Sequence, residues 1–370
     1  MKEISLAMIG IFAVKILSAQ LLHDNPLKTR LDSVVDKAAR NYMTDSNRVG
    51  ISIGFVTTDK SYIYNYGETA PGSHILPSSR SIYEIGSLTK TFTGLLVAHA
   101  ISEGKMNIND DIRKYLPGNF PNLQYPGNIP VKLGYLLAHT AQFPNHFEDS
   151  TAGLLMNEET FLQNIHAIKL DTLKPYNYAY SNAGYQLVGY MLEQLYQLSY
   201  DDLVKKYITG PLQMQHTQLN YPTPGEKELL KGYNSGKKAV PPVATAVPGA
   251  GSLHSTVPDM LRYLKYQLSE NDKAVKWTHK IIYGSIDQDA KGFQWSIGKT
   301  WNWDYYIRAD GGTMGFRSFC VMYPDLQVGI IILSNQTDNT AGTGLYHITV
   351  ALFNALKTIH NSFGNFDKMN

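Results

Sequence analysis

Cysteine is almost absent: Cys320 is the only one in 370 residues. No intrachain disulfide can form, so the fold must rest on its core whether or not the chain is exported. Cys320 sits in the apolar run Phe319-Cys320-Val321-Met322, which marks a buried structural thiol rather than a nucleophile. Charge is also sparse and balanced, with 33 basic against 31 acidic residues. No basic run or stripe interrupts that balance, so nucleic acid is not an expected partner. There is no His-Glu-x-x-His, paired-cysteine or carboxylate-rich pattern, so no metal and no cofactor are expected. There is no Gly-x-Ser-x-Gly elbow, which argues against an α/β-hydrolase. Internal repeats and low-complexity tracts are missing. So is any apolar run approaching the ~20 residues that a membrane-spanning helix needs. The longest such stretch at the N-terminus, Ile4 to Val14, follows Lys2 and precedes Leu17-Ser18-Ala19. That layout is an export signal over residues 1–19, cleaved before Gln20. It implies a periplasmic or secreted protein with no stable membrane span. No cysteine stands near the cleavage point, so no lipid anchor is expected.

What is present is a large hydrophobic fraction, 43%, enough for a sizeable core. Leu27, Leu31, Val34, Val35 and Ala38 recur at helical spacing. Ile51, Ile53 and Phe55, then Tyr62, Tyr64 and Tyr66, alternate about the turn-like Thr57-Thr58-Asp59-Lys60 and read as a hairpin. The chain from Ser87 to about Leu268 reads as mostly helical, with Pro/Gly-rich loops at 117–130 and 221–252. Strand-like runs return at Phe293–Gly298, Tyr305–Arg308, Arg317–Met322 and Val328–Ser334. Leu345, Ile348, Leu352, Leu356 and Ile359 then mark a C-terminal helix. The expected architecture is α+β: one antiparallel sheet drawn from residues 48–67 and 292–335, flanked by helices, with a mostly helical insert at about 87–270. A single domain over 20–360 and a loose tail over 361–370 complete it.

Three stretches could carry chemistry. In Ser87-Leu88-Thr89-Lys90 the serine and lysine share a helix face, because residues i and i+3 are neighbours there. The helix N-terminus adds positive potential. A partly desolvated amine in that place has its pKa lowered and can take the hydroxyl proton. In Tyr180-Ser181-Asn182, a phenol could shuttle protons beside Lys90 and an amide could bond a substrate carbonyl. In Ala309-Asp310-Gly311-Gly312-Thr313-Met314-Gly315-Phe316, glycines between two strands let backbone approach a ligand. Its N–H, with that of Ser87, could hold an oxyanion. Taken singly, each stretch also has an ordinary reading: a helix cap with a solvated lysine, a capped helix beside core tyrosines, and a glycine-rich hairpin turn.

Taken in order, the three stretches resemble the serine β-lactamase and penicillin-binding DD-peptidase superfamily, whose class A variant shares the Ser-x-x-Lys motif. The Tyr-x-Asn form of the second motif is similar to the class C β-lactamase, DD-carboxypeptidase and esterase branch. Further stretches carry the same resemblance: Glu103-Gly104-Lys105-Met106-Asn107-Ile108-Asn109-Asp110-Asp111, Lys114-Tyr115-Leu116-Pro117, Leu136-Leu137-Ala138-His139-Thr140, Gly210-Pro211-Leu212-Gln213-Met214, Ala250-Gly251-Ser252-Leu253-His254-Ser255-Thr256 and Leu333-Ser334-Asn335. The resemblance covers about residues 48–335 and implies a β-lactamase/transpeptidase-like fold. It implies that Ser87 is the acylated nucleophile, Lys90 its base and Tyr180 a proton relay. It implies that Asn182, Gly311, Gly312 and Thr313 bind substrate, with the N–H groups of Ser87 and Gly312 as the oxyanion hole. The activity implied is acyl-enzyme hydrolysis of an amide or ester in a small molecule or peptide. A D-Ala-D-Ala carboxypeptidase or class C-like β-lactamase is the narrower alternative, and a non-hydrolytic penicillin-binding sensor is the rival of another class. His139 and His254 are expected to be structural, since lysine and tyrosine already fill the acid–base roles. One departure bears on substrate. The third motif of the family begins with lysine or histidine, which helps bind a substrate carboxylate, and here Ala309 and Asp310 stand at its start. That favours an ester, or a peptide without a required free carboxylate.

Overall fold

The two ends of the chain build one sheet, and the middle of the chain builds what covers it. The computed structural model describes residues 21–58, 60–147, 157–171, 177–219, 228–242 and 248–363. Strand β1 (Gly50–Val56) and β2 (Ser61–Gly67) form the expected hairpin. Strands β3 (Ala290–Lys291), β4 (Ser296–Lys299), β5 (Tyr305–Gly312), β6 (Arg317–Tyr323) and β7 (Val328–Ser334) come from the C-terminal part. The order is β2-β1-β7-β6-β5-β4-β3, antiparallel throughout, with Ile53 opposite Ile332 where the two halves meet.

Period-two alternation sorts side chains onto the two faces. Ile51, Ile53 and Phe55 of β1, with Phe319 and Val321 of β6, meet Leu31, Val35, Leu345 and Leu352. Those four belong to helices α1 (Arg30–Met43) and α6 (Ala341–Phe363). Helix α1 starts where Thr29 and Asp32 form a reciprocal capping box. The other face packs against α2 (Thr89–Ser102), α4 (Val257–Ser269) and α5 (Lys273–Thr278), with α3 (Asn182–Tyr196) beyond. Helix α2 is buried on every side, which suits its lack of a polar stripe.

Three boundaries differ from the sequence reading. Phe293–Gly298 is not one strand. Phe293 and Trp295 are buried in the core, and Gln294 between them takes a φ of 72°, which breaks the ladder. Strand β5 runs four residues beyond Arg308, through the glycine-rich stretch. Helix α6 reaches Phe363, so its end consumes the first residues of the expected tail. The export signal expected over 1–19 lies outside the described residues, as do 364–370. Among the described residues, no helix is long and apolar enough to cross a membrane.

Candidate active site

The chain enters the site along Tyr83–Glu84, a short strand paired with His254–Ser255. Gly86 then takes a φ of 53°. That left-handed conformation costs an ordinary side chain roughly 1–2 kcal/mol. A Cβ on Gly86 would lie 2.6 Å from the Gly312 nitrogen, and one on Gly311 would lie 2.3 Å from the Ile85 carbonyl and 2.9 Å from the Ser87 nitrogen. Two glycines therefore allow the serine turn and strand β5 to touch backbone to backbone. Ser318 on β6 fixes the approach by donating to the Ile85 carbonyl oxygen at 2.8 Å.

One 3-10 turn, Gly86–Leu88, leads into α2, so Ser87 sits at the helix entrance with Lys90 one turn on. Lys90 Nζ lies 2.9 Å from Ser87 Oγ, and it donates to Asn182 Oδ1 at 2.7 Å and to the Ala250 carbonyl at 2.5 Å. The side chain is fully buried, and no carboxylate bonds it. Burial therefore holds its pKa well below 10.5, with the charge of Asp310 pulling weakly the other way. An uncharged amine has two N–H groups and one lone pair. With two carbonyl oxygens taking the N–H groups of that form, its lone pair would be free to accept from the serine hydroxyl. Tyr180 completes the group by donating its phenol proton to Ser87 Oγ at 2.6 Å. Burial raises the Tyr180 pKa, so the phenol remains a donor.

Asn182 reaches this point because Ser181 caps α3, accepting from the Gly184 amide at 2.9 Å. The capped-helix reading and the site reading are both true of this segment. The Asn182 amide donates to Asn145 Oδ1 at 3.0 Å and contacts His146 Nε2 at 3.3 Å. Its N–H groups are thus engaged, and a substrate carbonyl must displace one of these partners. Burial holds the His146 pKa down.

His139 is the buttress behind Tyr180. Its ring lies 4.4 Å from the Tyr180 ring and 5.0 Å from that of Tyr185. Its Nδ1 accepts from the Ser181 amide at 3.0 Å, and its Nε2 lies 2.8 Å from Gln294 Oε1. An accepting Nδ1 requires the proton on Nε2, which the Gln294 oxygen takes. Burial lowers its pKa to about 3, so the ring is neutral and the bonding pattern fixed. Both His139 and Gln294 take positive φ, 56° and 72°. Such strain persists where the surroundings over-determine the backbone. His254 lies on the small two-stranded sheet, with Nδ1 at 3.0 Å from the Leu219 carbonyl.

On the third stretch, strand parity decides what faces where. Ala309 is buried opposite Cys320, and both belong to the core under α2. Cys320 is a buried thiol whose pKa is raised by burial. Asp310 and Gly312 are exposed. Thr313 lies in the turn to β6, its N–H donating to the Phe316 carbonyl at 3.1 Å. Of the candidate residues, Ser87, Lys90, Tyr180, Asn182, Gly311 and Gly312 converge, and Thr313 lies beside them in that turn. The Ala250 carbonyl, Ser318, Gln294, Asn145 and His146 complete the surroundings. None of these five carries a local signal of its own, since each acts through a backbone oxygen or through contacts distant in sequence.

Residues 35–352 match the family model described as Beta-lactamase. Protein flp of Staphylococcus aureus (strain N315) is 28% identical over 335 residues, covering 86% of this chain and 66% of that protein. The chain thus spans slightly under two thirds of the staphylococcal relative. A D-alanyl-D-alanine-carboxypeptidase/endopeptidase AmpH of Escherichia coli (strain K12) is 25% identical over 328 residues, covering 83% of this chain and 84% of that protein. Among solved structures, a class C beta-lactamase superposes with a TM-score of 0.76 at 22% identity, over 86% of this chain and 96% of the other. A beta-lactamase/D-alanine carboxypeptidase from Yersinia pestis gives 0.74 at 22%, over 87% and 98%. At that identity these structures bear on the fold.

Proposed function

The chain belongs to the Beta-lactamase family of serine hydrolases, and we propose that it hydrolyses an amide or ester through an acyl-enzyme on Ser87. The observation that carries this reading is the buried Lys90 amine, 2.9 Å from Ser87 Oγ, held by the carbonyl oxygens of Asn182 and Ala250 and bonded to no carboxylate. Ser87 Oγ attacks the substrate carbonyl as its proton passes to Lys90 Nζ. The new oxyanion is met by the N–H groups of Ser87 and Gly312, which the Gly86–Gly312 contact brings side by side. The bond to the leaving group then breaks, and the leaving atom takes a proton from the Tyr180 phenol, which Lys90 resupplies. Water repeats the sequence on the ester. Its proton passes to the same pair, and the acid is released with Ser87 restored. Asn182 holds the acyl-side amide once a substrate displaces Asn145 or His146.

The names of the relatives make D-alanyl peptides and β-lactams the amides to try first. Ala309 in the third motif adds simple carboxylic esters. The test is intact-protein mass spectrometry after exposure to a chromogenic cephalosporin, a p-nitrophenyl ester and a D-Ala-D-Ala peptide. A transient adduct on Ser87 with repeated turnover of at least one compound is expected, with both lost in Ser87→Ala. Near-wild-type hydrolysis by Ser87→Ala overturns the assignment. A permanent adduct without turnover of any compound identifies a sensor instead.

A further inference from the structure

Strand β5 has an open edge where it passes Ser87. Strand β4 pairs with Tyr305–Arg308 alone, so among the described residues 309–312 have β6 on one side and no strand on the other. The Thr313 N–H donates to the Phe316 carbonyl, and antiparallel pairs alternate between bonded and unbonded. Gly312, one pair back, therefore turns its N–H to the open edge. Arg317 stands opposite Gly312 on β6 and shares its face of the sheet. Its side chain lies across the glycine: a Cβ on Gly312 would fall 1.8 Å from Arg317 Nη1 and 2.7 Å from its Cζ. Only a residue without a side chain leaves that path open, and it leads from β6 over β5 towards the edge that carries the oxyanion-hole N–H. The half-buried guanidinium is lightly held there. Nη1 donates to the carbonyls of Thr313 and Phe316 at 3.4 and 3.5 Å, longer than the usual range of about 2.7–3.2 Å. Among the described residues it has no acidic partner. The two other cations nearby do: Lys291 bonds Asp289 at 2.8 Å and lies over the Tyr178 ring, and Arg308 contacts the same Asp289 at 3.3 Å. Asp310 shares the face of Arg317 but stands opposite Phe319, and the two form no ion pair. A guanidinium with unused donors takes a carboxylate through two parallel bonds. Arg317 thus offers, from the neighbouring strand, the positive charge that Ala309 does not offer at the start of the third motif.

We propose that Arg317 is a specificity-determining residue that binds a carboxylate of the substrate beside the oxyanion hole. This rests on the acyl-transfer reading, and the test separates the two. Two pairs of esters differ, within each pair, only by carboxylate against carboxamide. On the leaving-group side they are the 3-carboxyphenyl and 3-carbamoylphenyl esters of phenylacetic acid. On the acyl side they are the 3-cresyl esters of 4-carboxyphenylacetic and 4-carbamoylphenylacetic acid. Their kcat/KM values are normalised to spontaneous hydrolysis. The carboxamide esters test the acyl-transfer reading, since their turnover must vanish in Ser87→Ala. The ratio of carboxylate to carboxamide tests Arg317. In the wild type a carboxylate preference of about tenfold is expected at low salt in at least one pair, shrinking as ionic strength rises. The pair that shows it identifies the side of the substrate that Arg317 serves. Arg317→Gln should bring that ratio to one or below. Arg317→Lys keeps the charge but not the paired donors, and should retain part of the preference. Circular dichroism checks the fold of both variants, and the wild-type ratio needs neither. A wild-type ratio of one or below in both pairs overturns the proposal. So does a preference undiminished in Arg317→Gln, which assigns carboxylate selection to Lys291 or Arg308. Failure of all four esters to acylate Ser87 overturns it together with the acyl-transfer reading.

Discussion

Replacing Lys90 with methionine separates its chemistry from its place in the fold. The methionine fills much of the same buried space but removes the nitrogen from Ser87, Asn182 and Ala250. Loss of the general base should reduce acylation by roughly 10²–10⁴-fold. Stability should respond in a way that depends on pH. At strongly alkaline pH the lysine is neutral in both states. There the variant leaves two buried carbonyl oxygens unpartnered, at roughly 1–3 kcal/mol each. The folded pKa lies well below the unfolded value near 10.5. Below that value the unfolded chain binds a proton that the native state refuses, so the wild type loses stability as pH falls. The loss is about 1.4 kcal/mol per unit while pH lies between the two pKa values. The variant has no such term. The wild-type advantage should therefore narrow as pH falls below 10.5 and level off once pH passes the folded pKa, read from urea unfolding of both proteins. A difference that stays constant over this range would mean that Lys90 is charged in the native state. Hydrolysis by the variant within tenfold of wild type would mean that another group takes the serine proton. Either result refutes the reasoning.

Tyr180→Phe removes the phenol from Ser87 but leaves the ring packed on His139. Cleavage of an amide substrate, whose amine must leave protonated, should fall roughly 10²-fold and more than that of a p-nitrophenyl ester, with the melting temperature nearly unchanged. Gly311→Ala places a methyl 2.3 Å from the Ile85 carbonyl and 2.9 Å from the Ser87 nitrogen. The serine turn must then move off β5, and labelling of Ser87 should be lost at concentrations that saturate the wild type, in a protein that still shows the wild-type circular dichroism spectrum. His139 is held neutral, with a folded pKa of about 3 against 6.5. The unfolded state binds the extra proton, so stability should fall as pH drops from 6.5 towards 3. His139→Asn keeps an acceptor for the Ser181 amide and should flatten that limb in acid unfolding curves. It should also lower kcat more than it raises KM, because Gln294 no longer tethers the tyrosine segment.

How much of this was legible in the chain depends on the range of the interaction. The hairpin of β1 and β2, and helices α1 and α6, follow from alternation and helical spacing, which are local. The 293–298 segment misled because buried Phe293 and Trp295 carry a strand pattern, while the left-handed Gln294 between them answers to His139, some 155 residues away. Ser87 and Lys90 were legible as neighbours on one helix face. What makes the lysine a base is its burial and the Ala250 carbonyl, which are products of tertiary packing. The third motif shows the same division in reverse. Gly311 must face Ile85 and Ser87, because only a glycine leaves room there. Strand parity then turns Ala309 to the same inward side and Asp310 to the outer one, with no further information needed. Asp310 is exposed and stands opposite Phe319 on β6, with Arg308 two residues along the same strand. Parity is readable from the chain, but which face meets the serine turn is not, because that depends on the packing of Gly311 against Ile85 and Ser87.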